Sequence, residues 1–96
     1  MSFPSDISEH IKEHFRDPNR VYKILDNLVV NKEELRIIRS ILMLSDSDYD
    51  SVKAWVKSAN EDYRNVIFYA EYDNRNIRKF DYNNPINKQV AYAYKE

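Results

Sequence analysis

The chain contains no glycine and no cysteine. Without glycine, phosphate-binding P-loops, dinucleotide-binding fingerprints and G-x-S-x-G nucleophile elbows cannot be built. Each needs close backbone approach or a positive φ. The same lack disfavours tight β-hairpins, so helices joined by short turns are expected. Ten asparagines are expected to occupy the left-handed turn positions, which asparagine tolerates better than most residues. Without cysteine, disulfides, thiol catalysis and cysteine-based zinc sites are excluded. Long apolar runs are missing too. The longest, Val66-Ile67-Phe68-Tyr69-Ala70, falls far short of the ~20 residues that span a bilayer. The opening MSFPSDIS has no basic stretch followed by an apolar one. No signal peptide or membrane association is expected, and the cytoplasm is the default compartment.

A dominant charge is also lacking. Fifteen basic residues oppose sixteen acidic ones, so no global field draws the chain to nucleic acid or an anionic membrane. What is present suits one core. Of 96 residues, 43% are hydrophobic and 14% aromatic, enough for a single domain over residues 1–96. Residues 84–96 read as a loosely docked tail.

Helical periodicity dominates the pattern. Ile7, Ile11 and Phe15 share one face of a first helix from about Asp6 to Arg16, with Ser5 or Asp6 able to cap it. Asp17-Pro18 opens a second helix reaching about Leu28, with Val21, Ile24, Leu25 and Leu28 as its apolar stripe. Asn31 with Glu34 resembles a capping box for a third helix, whose core face is Leu35, Ile38, Ile41 and Leu42, broadened by Ile37 and Leu44. The Ser45–Asp48 stretch caps the next helix. Val52, Val56, Ala59, Tyr63, Val66 and Ala70 then form a heptad seam, with Trp55 and Ile67 beside it. One helix over 48–71 would be about 36 Å long and would cross the whole molecule. A break near Ser58-Asn60-Asp62 is therefore expected. Trp55→Ala is expected to cost about 3–5 kcal/mol, and a neutral outcome would mean that the seam is misplaced.

The fold class is mainly α, a bundle of four to five helices with a short extended C-terminal segment. The alternative is α+β with a hairpin at about 65–82, since Val66, Ile67, Phe68, Tyr69 and Tyr72 have high strand propensity. Residues 77–82 are expected to be extended and Asn83-Asn84-Pro85 to turn. In the tail, Val90, Tyr92 and Tyr94 alternate as in a docked strand or a frayed end.

Two motifs mimic metal sites. His10-Ile11-Lys12-Glu13-His14 matches H-x-x-E-H, the zinc and general-base motif of inverzincin peptidases. A catalytic zinc needs a third protein ligand, and the chain has no other histidine. Asp46-Ser47-Asp48-Tyr49-Asp50 imitates an EF-hand start. Ser51 stands where glycine is needed and Lys57 where the bidentate glutamate is needed. Neither motif predicts a cofactor, and no catalytic residue is expected.

The remaining candidates are binding residues: Arg36, Arg39, Arg64, Tyr69, Glu71, Tyr72, Arg78 and Phe80. Arg36 and Arg39, with Asp62, Arg64 and Glu71, are placed to pair across antiparallel helices or to line a polar pocket. Arg64, Tyr69, Tyr72, Arg75, Arg78, Lys79, Phe80 and Tyr82 mix aromatics with cations. That blend suits a protein-binding surface or, less well, a nucleic-acid surface.

Arg36-x-x-Arg39, followed by Asp62-Tyr63-Arg64-Asn65-Val66-Ile67 and Ala70-Glu71-Tyr72, resembles a pattern in short, uncharacterised bacterial proteins. There the second motif is commonly D-Y-R-D-V-I, from which Asn65 departs. The resemblance implies a bacterial, cytoplasmic, helical protein and brings no activity with it. The expected function is non-enzymatic: a protein–protein interaction or regulatory factor, with a protein partner or self-association. The alternative is weak nucleic-acid binding by the C-terminal aromatic and basic segment.

Overall fold

The apolar spacings do form helices. The computed structural model describes residues 3–30, 33–73, 75 and 77–89. It contains α1 (Ser5–His14), α2 (Pro18–Leu25), α3 (Glu34–Ser45), α4 (Tyr49–Glu71) and a 3-10 turn, Ile86–Lys88. The fold is mainly α. The Cα radius of gyration is 12.9 Å, as expected for a folded chain of this length (~13 Å). Among the described residues no helix is long and apolar enough to cross a membrane.

One core joins all four helices. Ile7 and Ile11 from α1, Val21 and Leu25 from α2, Ile37, Ile38, Ile41 and Leu42 from α3, and Val52, Val56, Ala59, Val66 and Ile67 from α4 are all buried. Helix α3 is the most buried, flanked along its length by α4. Tyr63 and Trp55 are only half-buried, so the seam runs along the core's margin at those positions. Leu35 departs from its expected core position: it is 40% exposed. It lies in the first turn of α3 and lines a shallow surface recess with Glu34 and Asn83.

Helix boundaries follow local chemistry. The Asp17 carboxylate accepts a hydrogen bond from the Arg20 amide, and Pro18 occupies the first turn of α2, where its missing N–H costs nothing. Helix α2 ends at Leu25, earlier than the expected Leu28, because Asn27 and Leu28 donate back to the Ile24 and Leu25 carbonyls in tight turns. The Asp48 carboxylate caps α4, accepting from the Asp50 amide and the Ser51 hydroxyl. Neither Ser5 nor Asp6 caps α1; Pro4 precedes it and no side chain bonds its free amides. Asp6 is instead drawn to a buried guanidinium. At α3 the N-cap residue is Glu33, and the expected cap, Asn31, lies outside the described residues.

Left-handed backbone among the described residues falls on Glu33, Asp46 and Ser47, not on asparagine. Asp46 and Ser47 reverse the chain between α3 and α4 within a three-residue link. Aspartate enters that region as readily as asparagine, whereas Ser47 is held there by the packing of the two helices.

The expected break in α4 is at Asp62, whose backbone is extended (φ −159°, ψ 95°). Its carboxylate accepts from the Arg64 amide at 3.2 Å, the bond an N-cap makes. Asp62 thus ends one helical segment and caps the next. The reversal is sharp. A straight helix would separate Trp55 and Tyr69 by about 21 Å along its axis, yet their ring centroids are 6.0 Å apart.

The β alternative is not realised over 65–71, which is helical. Beyond it the chain turns at Asp73, whose carboxylate accepts from the Arg75 and Ile77 amides. Those bonds hold the carboxyl below its ordinary range. An antiparallel bridge, Tyr72 to Arg78, follows. The Ile86–Lys88 turn lies against α1, Ile86 donating its amide to Asp6, and the Gln89 side chain ties the segment to itself through Asp81, Asn84 and Pro85. Val90, Tyr92 and Tyr94 lie outside the described residues.

Candidate functional site

Arg36 and Arg39 stand one turn apart on α3 and reach two different carboxylates. Arg36 donates Nε to Glu71 Oε2 at 2.8 Å and Nη2 to Glu71 Oε1 at 2.6 Å. Its Nη1 bonds Glu33 at 2.9 Å. Glu71 has no solvent exposure. It also accepts from Arg78 Nη2 at 3.2 Å and from the Tyr82 amide at 2.9 Å. Arg78 bridges onward to Asp81 at 2.9 Å. One carboxylate at the end of α4 therefore gathers α3 and the C-terminal segment.

The second cluster is built on Asp6 of α1. Arg39 donates Nε to Asp6 Oδ2 at 2.9 Å and Nη2 to Oδ1 at 3.3 Å. Its Nη1 donates to the Tyr82 carbonyl at 3.1 Å. Both side chains are buried. Burial by itself would raise the Asp6 pKa. The Arg39 guanidinium and the Ile86 amide outweigh that and hold it below the usual range.

Tyr82 sits between the clusters, its amide on Glu71 and its carbonyl on Arg39. It is 1% exposed. Burial, with the neighbouring Glu71 charge, pushes its phenol up to about 12. No buried side-chain nitrogen or oxygen among the described residues lacks a hydrogen-bond partner. A network this complete avoids the large cost of an orphaned buried charge, and its net worth lies in fixing one arrangement of the helices. Four of the expected binding residues, Arg36, Arg39, Glu71 and Arg78, are thus joined in internal pairing, and two of them, Arg36 and Arg39, also line the open recess beside Leu35. Arg64 stays apart, its side chain 79% exposed beside Asp62.

The aromatic candidates are arranged differently. Tyr69 is 61% and Phe68 41% exposed. Phe68 stacks on Tyr72 at 5.3 Å and meets Tyr69 at 6.1 Å, and Tyr69 continues to Trp55. The fold-back at Asp62 makes this an aromatic surface cluster out of two helical segments. Phe80 is exposed and stacks on Tyr82 at 5.6 Å.

The histidine pair lies on the flank of α1 that faces the end of α3, with His10 half-buried and His14 exposed. The two ring centroids are 4.3 Å apart, and burial followed by the His14 charge lowers the His10 pKa. Among the described residues no group of three His, Cys, Asp or Glu side chains is placed to hold a metal ion.

Asp6, Glu33, Asp81 and Tyr82 are network residues outside the expected binding set. Asp6 read as a helix cap, and nothing local marks its link to Ile86, eighty positions away. Tyr82 read as one more surface aromatic. No family model, curated protein or solved structure matches this chain.

Proposed function

We propose that this chain is a small non-enzymatic interaction or regulatory factor that binds a protein through the aromatic surface formed by Trp55, Phe68, Tyr69 and Tyr72. The observation that carries this reading is the exposure of Tyr69 and Phe68 within a continuous set of ring contacts. Such rings bury large area at low entropic cost, which is why aromatics concentrate at contact surfaces. The charged candidates support the reading indirectly. Internal pairing engages Arg36, Arg39, Glu71 and Arg78, which supports a role for them in holding that surface in shape. The cytoplasm of a bacterium is the setting this reading assigns.

Nucleic-acid binding by the C-terminal segment is the weaker reading. Arg78 is engaged by Glu71 and Asp81, and Tyr82 is buried. In that segment one cation is already paired and one stacking ring is buried.

The test compares the wild-type chain with a Phe68→Ser/Tyr69→Ser double variant. Tagged chains are passed through extract of the source cells, and the purified chains are sedimented at several concentrations. The expected result is a stoichiometric protein partner, or a self-associated species, that the double variant loses. Identical partners and identical sedimentation for both chains would overturn the reading. Oligonucleotide binding that falls steeply with salt would favour nucleic acid instead.

A further inference from the structure

Two adjoining recesses, about 290 and 140 Å³, open between α1 and the end of α3. The side chains common to both are His10, His14 and Met43. The histidines stand one helical turn apart with ring centroids separated by 4.3 Å. Met43 comes from α3 and is 40% exposed, unlike its buried neighbours Ile41 and Leu42. The shared wall therefore carries two imidazoles and one thioether.

Donor chemistry selects the ion. Zinc takes four nitrogen, oxygen or thiolate ligands, and no three His, Cys, Asp or Glu side chains converge here among the described residues. Calcium and magnesium need a shell of oxygens. A thioether is a soft donor that favours monovalent copper, and imidazole also suits copper. Monovalent copper is satisfied by two or three ligands, the number this wall offers. Glu9 and Glu13 on one recess and Asp46 on the other place negative charge around the entrance, which raises the local concentration of a cation.

We propose that His10, His14 and Met43 form a binding site for copper(I), with the two imidazoles and the thioether as its ligands.

The experiment titrates the purified chain with copper(I) under anaerobic, reducing conditions against a chromophoric copper(I) chelator. The expected result is one equivalent withheld from the chelator, with the Met43 methyl and both imidazole resonances shifting together in NMR spectra. Met43→Leu should weaken copper(I) retention at least tenfold while changing nickel(II) binding less than twofold, because nickel uses the imidazoles and ignores the thioether. His14→Ala should weaken both ions at least tenfold. These positions lie on the surface, and an unchanged circular dichroism spectrum checks that each variant folds. Complete transfer of copper(I) from the wild-type chain to the chelator overturns the proposal. So does a Met43→Leu loss smaller than tenfold, which would reduce the site to a histidine pair.

Discussion

Arg36 grips Glu71 with two parallel hydrogen bonds, Nε to Oε2 at 2.8 Å and Nη2 to Oε1 at 2.6 Å. The fork geometry of a guanidinium matches a carboxylate edge to edge. Here it joins the first turn of α3 to the last residue of α4. Lysine at position 36 would supply the charge without the second bond.

Glu71→Gln tests the centre of this cluster. The substitution keeps shape and removes charge, leaving Arg36 and Arg78 partly uncompensated beside a buried amide. A destabilisation of about 3 kcal/mol is expected, the lower end for a broken buried pair, because Glu33 and Asp81 still engage the arginines. Urea unfolding followed by circular dichroism measures it. A change under about 1 kcal/mol, the scale of an exposed pair, would show that Glu71 is not the hub.

Acid should loosen the Asp6 cluster. The Asp6 pKa is lower in the folded chain than its ordinary value of 3.8. The folded state thus binds that proton less tightly than the unfolded state. Its stabilising contribution is whole above the ordinary value and fades as pH falls through the lower native one. Urea midpoints between pH 6 and 2.5 should fall more steeply for wild type than for Asp6→Asn. Parallel slopes would contradict the Asp6–Arg39 geometry.

Base should act on Tyr82, in the opposite sense. Its folded pKa is raised to about 12 from 10.0. The contribution is present below the unfolded value and is lost as pH rises through the native one. Absorbance at the phenolate band should show one tyrosine ionising late, together with alkaline unfolding. Tyr82→Phe should remove that late transition, and its persistence would assign it elsewhere.

The fold-back of α4 predicts coupling between Trp55 and Tyr69. A double-mutant cycle to alanine should give about 0.5–1.5 kcal/mol of interaction, the range for an aromatic pair. A straight helix would give none. Trp55 is half-buried, so Trp55→Ala alone should cost about 2 kcal/mol, below the 3–5 kcal/mol range for full burial. Because Trp55 is the single tryptophan, its removal abolishes indole emission, and urea unfolding followed by circular dichroism measures the cycle.

Asp62→Ala removes the cap of the second segment. A loss of about 1 kcal/mol is expected for an N-cap aspartate. The Trp55 emission should shift as its contact with Tyr69 loosens. An unchanged spectrum and unchanged stability would mean that packing alone sets the reversal.

Periodicity was enough to read most of the skeleton. Ile7, Ile11, Ile38, Ile41, Leu42, Val52, Val56 and Val66 are buried as their spacing implies, since a one-faced helix has only one way to hide its stripe. Asp17 and Pro18 open α2 as local chemistry requires. Asp62 interrupts α4 within the span where length alone demanded a break. The candidate site was half legible: Arg36 and Glu71 pair across helices as their placement suggested, and Tyr69 lies on the surface.

The hydrophobic pattern, with the lack of glycine and cysteine, therefore determined a helical bundle by itself, because burial of a stripe is a local, repeating demand. Only the tertiary structure decided which charge met which. Asp6 left its helix terminus for Arg39, Tyr82 went inside, and two aromatic segments came together across a reversal. Those outcomes depend on distances between residues far apart in the chain. A buried charge takes the partner that the packed helices bring within reach, and no local spacing encodes that choice.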